Sequence, residues 1–293
     1  MLRLLVLLLL PLAAASASAQ PTPAFTSERI GVEVHGTGPD VVLIPGLSSS
    51  PRVWDSTVAA VPGYRYHIVH VSGFDGRPAG ANASGPVLEP VAEEIARYIA
   101  QAHLDRPAIV GHSMGGSLGL IVTARHPGLV SRLMVVDMLP YLGAMFRRRE
   151  MTDAQFAEMA GQIRGAIAAG SGEQRRIQVN SMIASMVRTE SARPAIVAQS
   201  LASDPAVSSQ AFYDLIVTNL LPDVANVHVP LTVLYVQPAG APLTPEQIDD
   251  AYRLSYRAAP QAVLHRIADS YHFIMLDQPE VFQRELRTFL QAS

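Results

Sequence analysis

The chain has 293 residues, of which 49% are hydrophobic and 16% are charged, a balance typical of one globular body with a large apolar core. It contains no cysteine and no lysine, which excludes disulfides, Schiff-base catalysis, Ser-Lys dyads and P-loop phosphate binding. A net charge of −3 also argues against nucleic acid as a partner.

The first nineteen residues have the pattern of a secretory signal peptide. The stretch MLRLLVLLLLPLAAASASA has one basic residue, Arg3, followed by a leucine run, and it ends in the small residues Ala17, Ser18 and Ala19. We expect cleavage after Ala19, because the apolar run is too short to favour an uncleaved membrane anchor. The mature chain is therefore predicted to be periplasmic or secreted, without stable insertion into a membrane.

Short β-rich runs alternate with helical patterns after residue 30. Six runs are mostly apolar on both faces, as the strands of a helix-covered parallel sheet must be, and they span residues 41–45, 66–71, 108–112, 132–137, 231–236 and 262–267. Between the runs, apolar residues such as Val91, Ile95 and Ile99 recur at helical spacing. This alternation predicts an α/β fold with a doubly wound, mostly parallel sheet.

Residues 140–228 interrupt the alternation with helical patterns alone. Thr152 and Gln155 have the spacing of a capping box, and Asp204 followed by Pro205 is typical of a helix start. We interpret this interval as a helical cap inserted into a core formed by residues 20–139 and 229–293. Such a segment can pack on itself and can also act as a lid over a substrate.

The candidate chemistry begins in IVGHSMGG, residues 109–116. Gly111, Ser113 and Gly115 fit the pattern G-x-S-x-G at the junction of a predicted strand and a helix, where a sharp turn exposes the serine hydroxyl and excludes bulky neighbours. Because both the strand and the helix are present, we predict that Ser113 is a nucleophile at the carboxyl edge of the sheet.

A serine hydroxyl needs a base, and the chain has nine histidines. His272, in ADSYHFIMLDQPE, follows the last predicted strand and precedes a helix, so we expect it at the same edge of the sheet as Ser113. His112 adjoins the serine in a turn, where a core or supporting role is expected. No histidine belongs to a metal-binding motif, and no metal is expected.

At these residues the sequence resembles the α/β-hydrolase superfamily. GHSMGG resembles its nucleophile elbow, YHFIMLDQPE resembles its histidine loop, and IPGLSSSPRVW at residues 44–54 resembles the loop after its third strand. The resemblance spans about residues 30–290 and implies the α/β-hydrolase fold with an inserted helical cap. It also implies an oxyanion hole formed by the backbone N–H groups of Met114 and Leu47.

The third member of a catalytic triad is missing from its usual place in this family. Most relatives have an acid after the penultimate strand, where this chain has Gln237, Pro238 and Ala239. Asp137 follows the preceding strand, the position that a minority of the family uses, and we predict that it is the acid. The alternatives are an acid-free Ser-His dyad or one of three other aspartates, Asp249, Asp250 and Asp269.

The sequence thus predicts an exported serine hydrolase, a carboxylesterase that cleaves small acyl esters through an acyl-enzyme intermediate and needs no cofactor. In the family, a serine at position 113 argues against the dehalogenase and epoxide hydrolase branches. The alternatives are the same fold acting on thioesters, on carbon–carbon bonds or as a perhydrolase, and a hydrolase-like binding protein without turnover.

Overall fold

A central sheet organises the chain in the computed structural model, which describes residues 25–237 and 240–291. Its seven strands are β1 (Ile30–Gly36), β2 (Asp40–Ile44), β3 (Arg65–Val71), β4 (Ala108–His112), β5 (Arg132–Val136), β6 (Leu231–Tyr235) and β7 (Val263–Arg266). Their spatial order is β1-β3-β2-β4-β5-β6-β7. β1 runs antiparallel to β3, and the other neighbouring pairs are parallel.

The six predicted strands correspond to β2–β7, with ends that differ by no more than one residue. β4 is buried along its whole length, as its mostly apolar pattern predicts. The sequence reading missed β1 because this strand lies at the edge of the sheet and its last four residues are exposed. It therefore lacks the apolar run that identified the others.

Helices cover both faces of the sheet. Alternate residues of β2 enter opposite cores: Val42 and Ile44 pack in one, and Val41 and Leu43 pack in the other. The helices of the core are α1 (Asp55–Ala60), α2 (Leu88–Gln101), α3 (Met114–Arg125), α8 (Pro245–Tyr256), α9 (Ile274–Asp277) and α10 (Pro279–Gln291). This is the doubly wound α/β architecture that the sequence predicts.

Four helices fill the interval between β5 and β6: α4 (Asp153–Ala169), α5 (Gly172–Met186), α6 (Arg193–Ala202) and α7 (Pro205–Val217). The Thr152 capping box at the start of α4 is present, and the Asp204 side chain caps α7. Phe156, Ala160 and Ile216 form a small core between α4 and α7. Ile183 of α5 and Ile196 of α6 join one of the two main cores, so this interval packs both on itself and on the sheet domain.

The predicted signal peptide, residues 1–19, lies outside the described residues. Within residues 25–237 and 240–291, no helix is long and apolar enough to cross a membrane.

Candidate active site

Ser113 lies in a strained turn between β4 and α3. Its φ of 53° and ψ of −121° are unusual for a residue with a side chain, and its N–H donates to the carbonyl of Val136 over 2.9 Å. A Cβ added to Gly111 would lie 2.1 Å from the carbonyl oxygen of Gly115. A Cβ added to Gly115 would lie equally close, at 2.1 Å, to the carbonyl oxygen of Ile44. The turn therefore requires both glycines, and it leaves the Ser113 side chain partly exposed at the carboxyl edge of the sheet.

The loop after β2 passes directly beside this turn. A Cβ added to Gly46 would lie 3.1 Å from the Cβ of Ser113. Among residues 25–237 and 240–291, no acceptor is found for the N–H of Leu47 in this loop or for that of Met114 at the start of α3. The Met114 N–H also carries the partial positive charge of a helix N-terminus. Two unpaired donors, the pair predicted as an oxyanion hole, thus belong to the two segments that meet at Ser113.

Asp137 and His272 are in direct contact. The Nδ1 atom of His272 lies 2.6 Å from Oδ2 of Asp137. An ionised carboxylate only accepts hydrogen bonds, so Nδ1 carries the proton and Nε2 is left as the basic nitrogen. Asp137 also has a positive φ, 53°, in the turn after β5, and its N–H donates to the carbonyl of Leu234 over 2.7 Å. The ends of β5 and β6 thereby aim this carboxylate at the histidine loop.

The second oxygen of Asp137 is also bound. Oδ1 accepts the N–H of Val236 and the hydroxyl of Tyr252, each over 3.1 Å. The carboxylate is only 10% exposed, and these hydrogen bonds offset the cost of removing its charge from water. The sequence reading did not identify Tyr252, because nothing in the pattern of α8 distinguishes a tyrosine that reaches the acid from one that fills the core.

His112 is fully buried behind the serine and supports the histidine loop. Its Nε2–H donates to the carbonyl oxygen of His272 over 3.0 Å, and the centroids of the two rings are 4.6 Å apart. Burial lowers the pKa of His112 well below its ordinary value of 6.5, and the neighbouring His272 lowers it further. His112 is therefore neutral. This arrangement fits the supporting role expected from its position.

A single carboxylate ties the histidine loop to the cap. Asp277 accepts the backbone N–H groups of Tyr271 over 2.9 Å, of Arg188 over 3.0 Å and of Thr189 over 2.8 Å. Arg188 and Thr189 follow α5, so these hydrogen bonds join the end of this cap helix to the loop that carries His272. Sequence reasoning missed this contact, since no local pattern pairs residues so far apart in the chain.

The other candidate aspartates have different partners. Each forms an ion pair with an arginine: Asp249 with Arg266 at 2.8 Å, Asp250 with Arg253 at 2.6 Å and Asp269 with Arg188 at 2.7 Å. Of the four aspartates considered, Asp137 is the one hydrogen-bonded to His272. In the part of the chain that the structure describes, no group of three or more histidine, aspartate or glutamate side chains could hold a metal ion.

Comparisons with known proteins point to one family. A model of the alpha/beta hydrolase family matches residues 41–285. The pimeloyl-(acyl-carrier protein) methyl ester esterase of Vibrio vulnificus is 26% identical over 266 residues, which cover 88% of this chain and 96% of that protein. The RutD protein of Yersinia enterocolitica is 36% identical over 109 residues, which cover 37% of this chain and 39% of RutD. The chain thus spans about two fifths of the length of this RutD protein and of the RutD proteins of Serratia proteamaculans and Pantoea ananatis.

Solved structures share the fold over nearly the whole chain. An esterase from Exiguobacterium antarcticum superposes with a TM-score of 0.74 at 18% sequence identity, covering 90% of this chain and 96% of that one. At this level of identity the likeness concerns the arrangement of strands and helices.

Proposed function

This chain belongs to the alpha/beta hydrolase family, and from that premise we propose that it is a serine hydrolase that cleaves small carboxylic esters through an acyl-enzyme intermediate. The observation that carries the proposal is the 2.6 Å hydrogen bond between His272 and Asp137, at the same sheet edge as the strained turn of Ser113. The Vibrio relative, which is named a methyl ester esterase, supports an ester as the substrate.

In the proposed reaction, Oγ of Ser113 attacks the acyl carbon while Nε2 of His272 takes the hydroxyl proton. The N–H groups of Leu47 and Met114 bind the oxyanion of the tetrahedral intermediate. His272 then returns the proton to the departing alcohol, which leaves an ester of Ser113. Water attacks this acyl-enzyme with His272 again as the base, releasing the acid and restoring the serine.

Asp137 has two tasks in this scheme. Its hydrogen bond to Nδ1 fixes the tautomer in which Nε2 carries no proton, and its charge stabilises the imidazolium that forms when His272 takes the proton. A neutral His112 is consistent with the second task, because a second positive charge beside His272 would oppose formation of the imidazolium.

The cap and the cellular location complete the proposal. Residues 140–228 would act as a lid that sets the preference for the acyl group, while residues 20–139 and 229–293 carry the chemistry. The proposed location is the periplasm or the exterior, on the pattern of residues 1–19. Cleavage of thioesters or of carbon–carbon bonds, perhydrolysis and binding without turnover are the competing functions.

The direct test is ester hydrolysis by the Ser113→Ala variant, measured on p-nitrophenyl esters of graded acyl length. We expect kcat to fall by at least about 10³-fold with the fold retained, because only one hydroxyl is lost. Ser117→Ala is a matched control: this serine lies one turn further along α3 and is buried, and its loss should change kcat by less than about threefold. A folded Ser113→Ala variant with nearly wild-type kcat would contradict the proposal.

A further inference from the structure

The helix that follows the penultimate strand contributes to the acid site in an unexpected way. The sequence of the loop between β6 and α8, residues 236–244, contains no carboxylate. Tyr252 of α8 nevertheless donates its hydroxyl to Oδ1 of Asp137 over 3.1 Å. The N–H of Val236, just after β6, donates to the same oxygen over the same distance. Oδ2 is left to accept from His272. The segment that lacks the acid therefore provides two donors to the acid of the neighbouring strand.

Tyr252 is held rigidly in this position. Its ring stacks on that of Tyr235, with the centroids 4.0 Å apart and the planes 18° from parallel. The ring of Tyr256, also in α8, is nearly parallel to that of Tyr252, with the centroids 6.4 Å apart and the planes at 8°. The hydroxyl of Tyr256 donates to the carbonyl of Met138 over 2.7 Å, which anchors the residue next to the acid. Burial raises the pKa of Tyr252 well above 10, and the charge of Asp137 raises it further, so the hydroxyl keeps its proton and remains a donor.

We propose that Tyr252 is a positioning residue for the hydrolytic reaction, which fixes the plane of the Asp137 carboxylate so that Oδ2 faces Nδ1 of His272. The proposal rests on the function proposed above. A carboxylate held by one backbone donor can still rotate about its χ2 bond, whose rotamer well is broad, whereas a second donor from a stacked ring restricts that rotation. The tyrosine acts through Asp137 and does not contact the reacting atoms.

Removal of this donor has a defined effect on the pH profile. The titratable groups that interact with the Asp137–His272 pair are His112, from the end of β4, and Tyr252 and Tyr256, from α8. His112 is neutral. With one donor fewer, the carboxylate of Asp137 keeps more negative charge density beside His272 and stabilises the imidazolium more in the free enzyme. Its freedom to rotate separately lowers kcat at pH values where His272 is neutral. Activity requires neutral His272, so the acidic limb of the kcat/KM profile moves to higher pH.

The first experiment compares Tyr252→Phe with Tyr235→Phe on the same ester substrate. Each change removes one hydroxyl from the same stack, but the Tyr235 hydroxyl donates to Asp249 over 2.9 Å instead of to Asp137. We expect Tyr252→Phe to lower kcat roughly tenfold, to change KM by less than about twofold and to shift the acidic limb upward. Tyr235→Phe should change neither kcat nor the pH of the acidic limb of the kcat/KM profile. A folded Tyr252→Phe variant with wild-type kcat and pH profile would overturn the proposal, as would an equal effect of the two substitutions.

A second measurement keeps the shape of the side chain. Site-specific 3-fluorotyrosine at position 252 has a more acidic hydroxyl, which is a stronger hydrogen-bond donor to Asp137. The acidic limb of the kcat/KM profile should therefore move to lower pH, which is the opposite of the shift expected for Tyr252→Phe. A limb that stays in place, or moves upward, counts against the role of Tyr252. This measurement remains decisive if Tyr252→Phe fails to fold.

The double variant Asp137→Asn/Tyr252→Phe separates this proposal from the function on which it rests. If Tyr252 acts through the acid, loss of its hydroxyl should lower kcat by less than about twofold in the Asp137→Asn background. A full tenfold further loss would overturn the positioning role while leaving the hydrolase proposal intact. A nearly normal kcat for Asp137→Asn alone would instead remove the premise that Asp137 is the acid.

Discussion

At the residue scale, the candidate site depends on two turns, one at Ser113 and one at Asp137. Each of these residues has a positive φ, in the left-handed region of backbone conformation. Ser113 and Asp137 each have a φ of 53° directly after neighbouring strands. Such conformations are costly for residues with side chains, so they persist where surrounding hydrogen bonds enforce them. The N–H groups of both residues donate to carbonyls of adjacent strands, Val136 and Leu234. The strain is therefore maintained by the sheet itself.

Substitution of the acid tests its assignment. Asp137→Asn keeps the shape but removes the charge that stabilises the imidazolium, so we expect kcat to fall by roughly 10²–10⁴-fold with KM little changed. Asp250→Asn, on the exposed side of α8, is the control and should have almost no effect. The assignment is wrong if a folded Asp137→Asn variant loses less than about threefold, and a dyad would then be favoured.

The sequence pattern points to the candidate residues that have local signatures, but it does not point to the residues that contact them across the fold. Ser113 is marked by its flanking glycines, and His272 by its place after the last strand. The donors to Asp137, by contrast, come from Val236 and Tyr252, and the N–H groups bound by Asp277 come from two distant segments. A one-dimensional pattern indicates where strands end, but it does not indicate which side chains meet there.

At the element scale, the cap is joined to the loop beside the nucleophile by buried hydrogen bonds. Oε1 of Gln199 in α6 accepts the N–H of Ser50 over 3.0 Å, and the hydroxyls of Ser208 in α7 and Ser48 lie 2.8 Å apart. Ser48 has a φ of 54°, so the loop that carries Leu47 is itself strained. Because the cap stabilises this loop, we expect it to influence the chemistry as well as substrate access.

Gln199→Leu tests that coupling. The substitution leaves the N–H of Ser50 buried without its acceptor, which should lower the free energy of unfolding by about 1–3 kcal/mol. If the loop provides an oxyanion donor, kcat should also fall several-fold with little change in KM, since the oxyanion forms only in the transition state. Gln162→Leu, at an exposed position of α4, is the control for both readouts. Wild-type stability together with wild-type kcat in Gln199→Leu would show that the cap and the loop are uncoupled.

The sequence predicts the strands that are buried on both faces of the sheet, but it does not predict the strand at the edge of the sheet. Central strands such as β4 and β5 are almost entirely buried, and their predicted ends lie within one residue of the observed ones, whereas the last four residues of β1 are exposed and its pattern does not indicate a strand. The helical nature of residues 140–228 was also visible from capping signals. The pairing of α4 with α7, and the packing of α5 and α6 against the sheet domain, depend on which apolar faces meet, and no local signal specified them.

At the scale of the whole molecule, buried and half-buried histidines make stability depend on pH. Burial lowers the pKa values of His112, His67 and His70 below their ordinary value of 6.5. In the unfolded chain these groups take up protons below about pH 6.5, while in the folded protein they stay neutral until a lower pH. Unfolding therefore takes up protons in this window, and the stability that these groups provide is complete above it and is lost as the pH falls.

We accordingly expect the free energy of unfolding to fall from about pH 7 to pH 5, by up to about 1.4 kcal/mol per pH unit for each such histidine, and the thermal midpoint to fall with it. Calorimetry across this range measures it. His70→Gln preserves a donor for the carbonyl of Phe74, which Nε2 of His70 reaches at 2.9 Å, and it removes one titrating group, so its pH dependence should be shallower. A midpoint that is constant or rises toward pH 5 would contradict this linkage.

The central claim is that Ser113 is a nucleophile activated by the His272–Asp137 pair, and covalent labelling tests it most directly. The intact protein is treated with a fluorophosphonate and the adduct is located by peptide mass spectrometry. We predict one adduct, on the peptide that contains Ser113, with none on Ser113→Ala and labelling slowed at least about 10²-fold in His272→Ala. A folded wild-type protein that remains unlabelled at Ser113, or that is labelled there equally fast without His272, would contradict the claim.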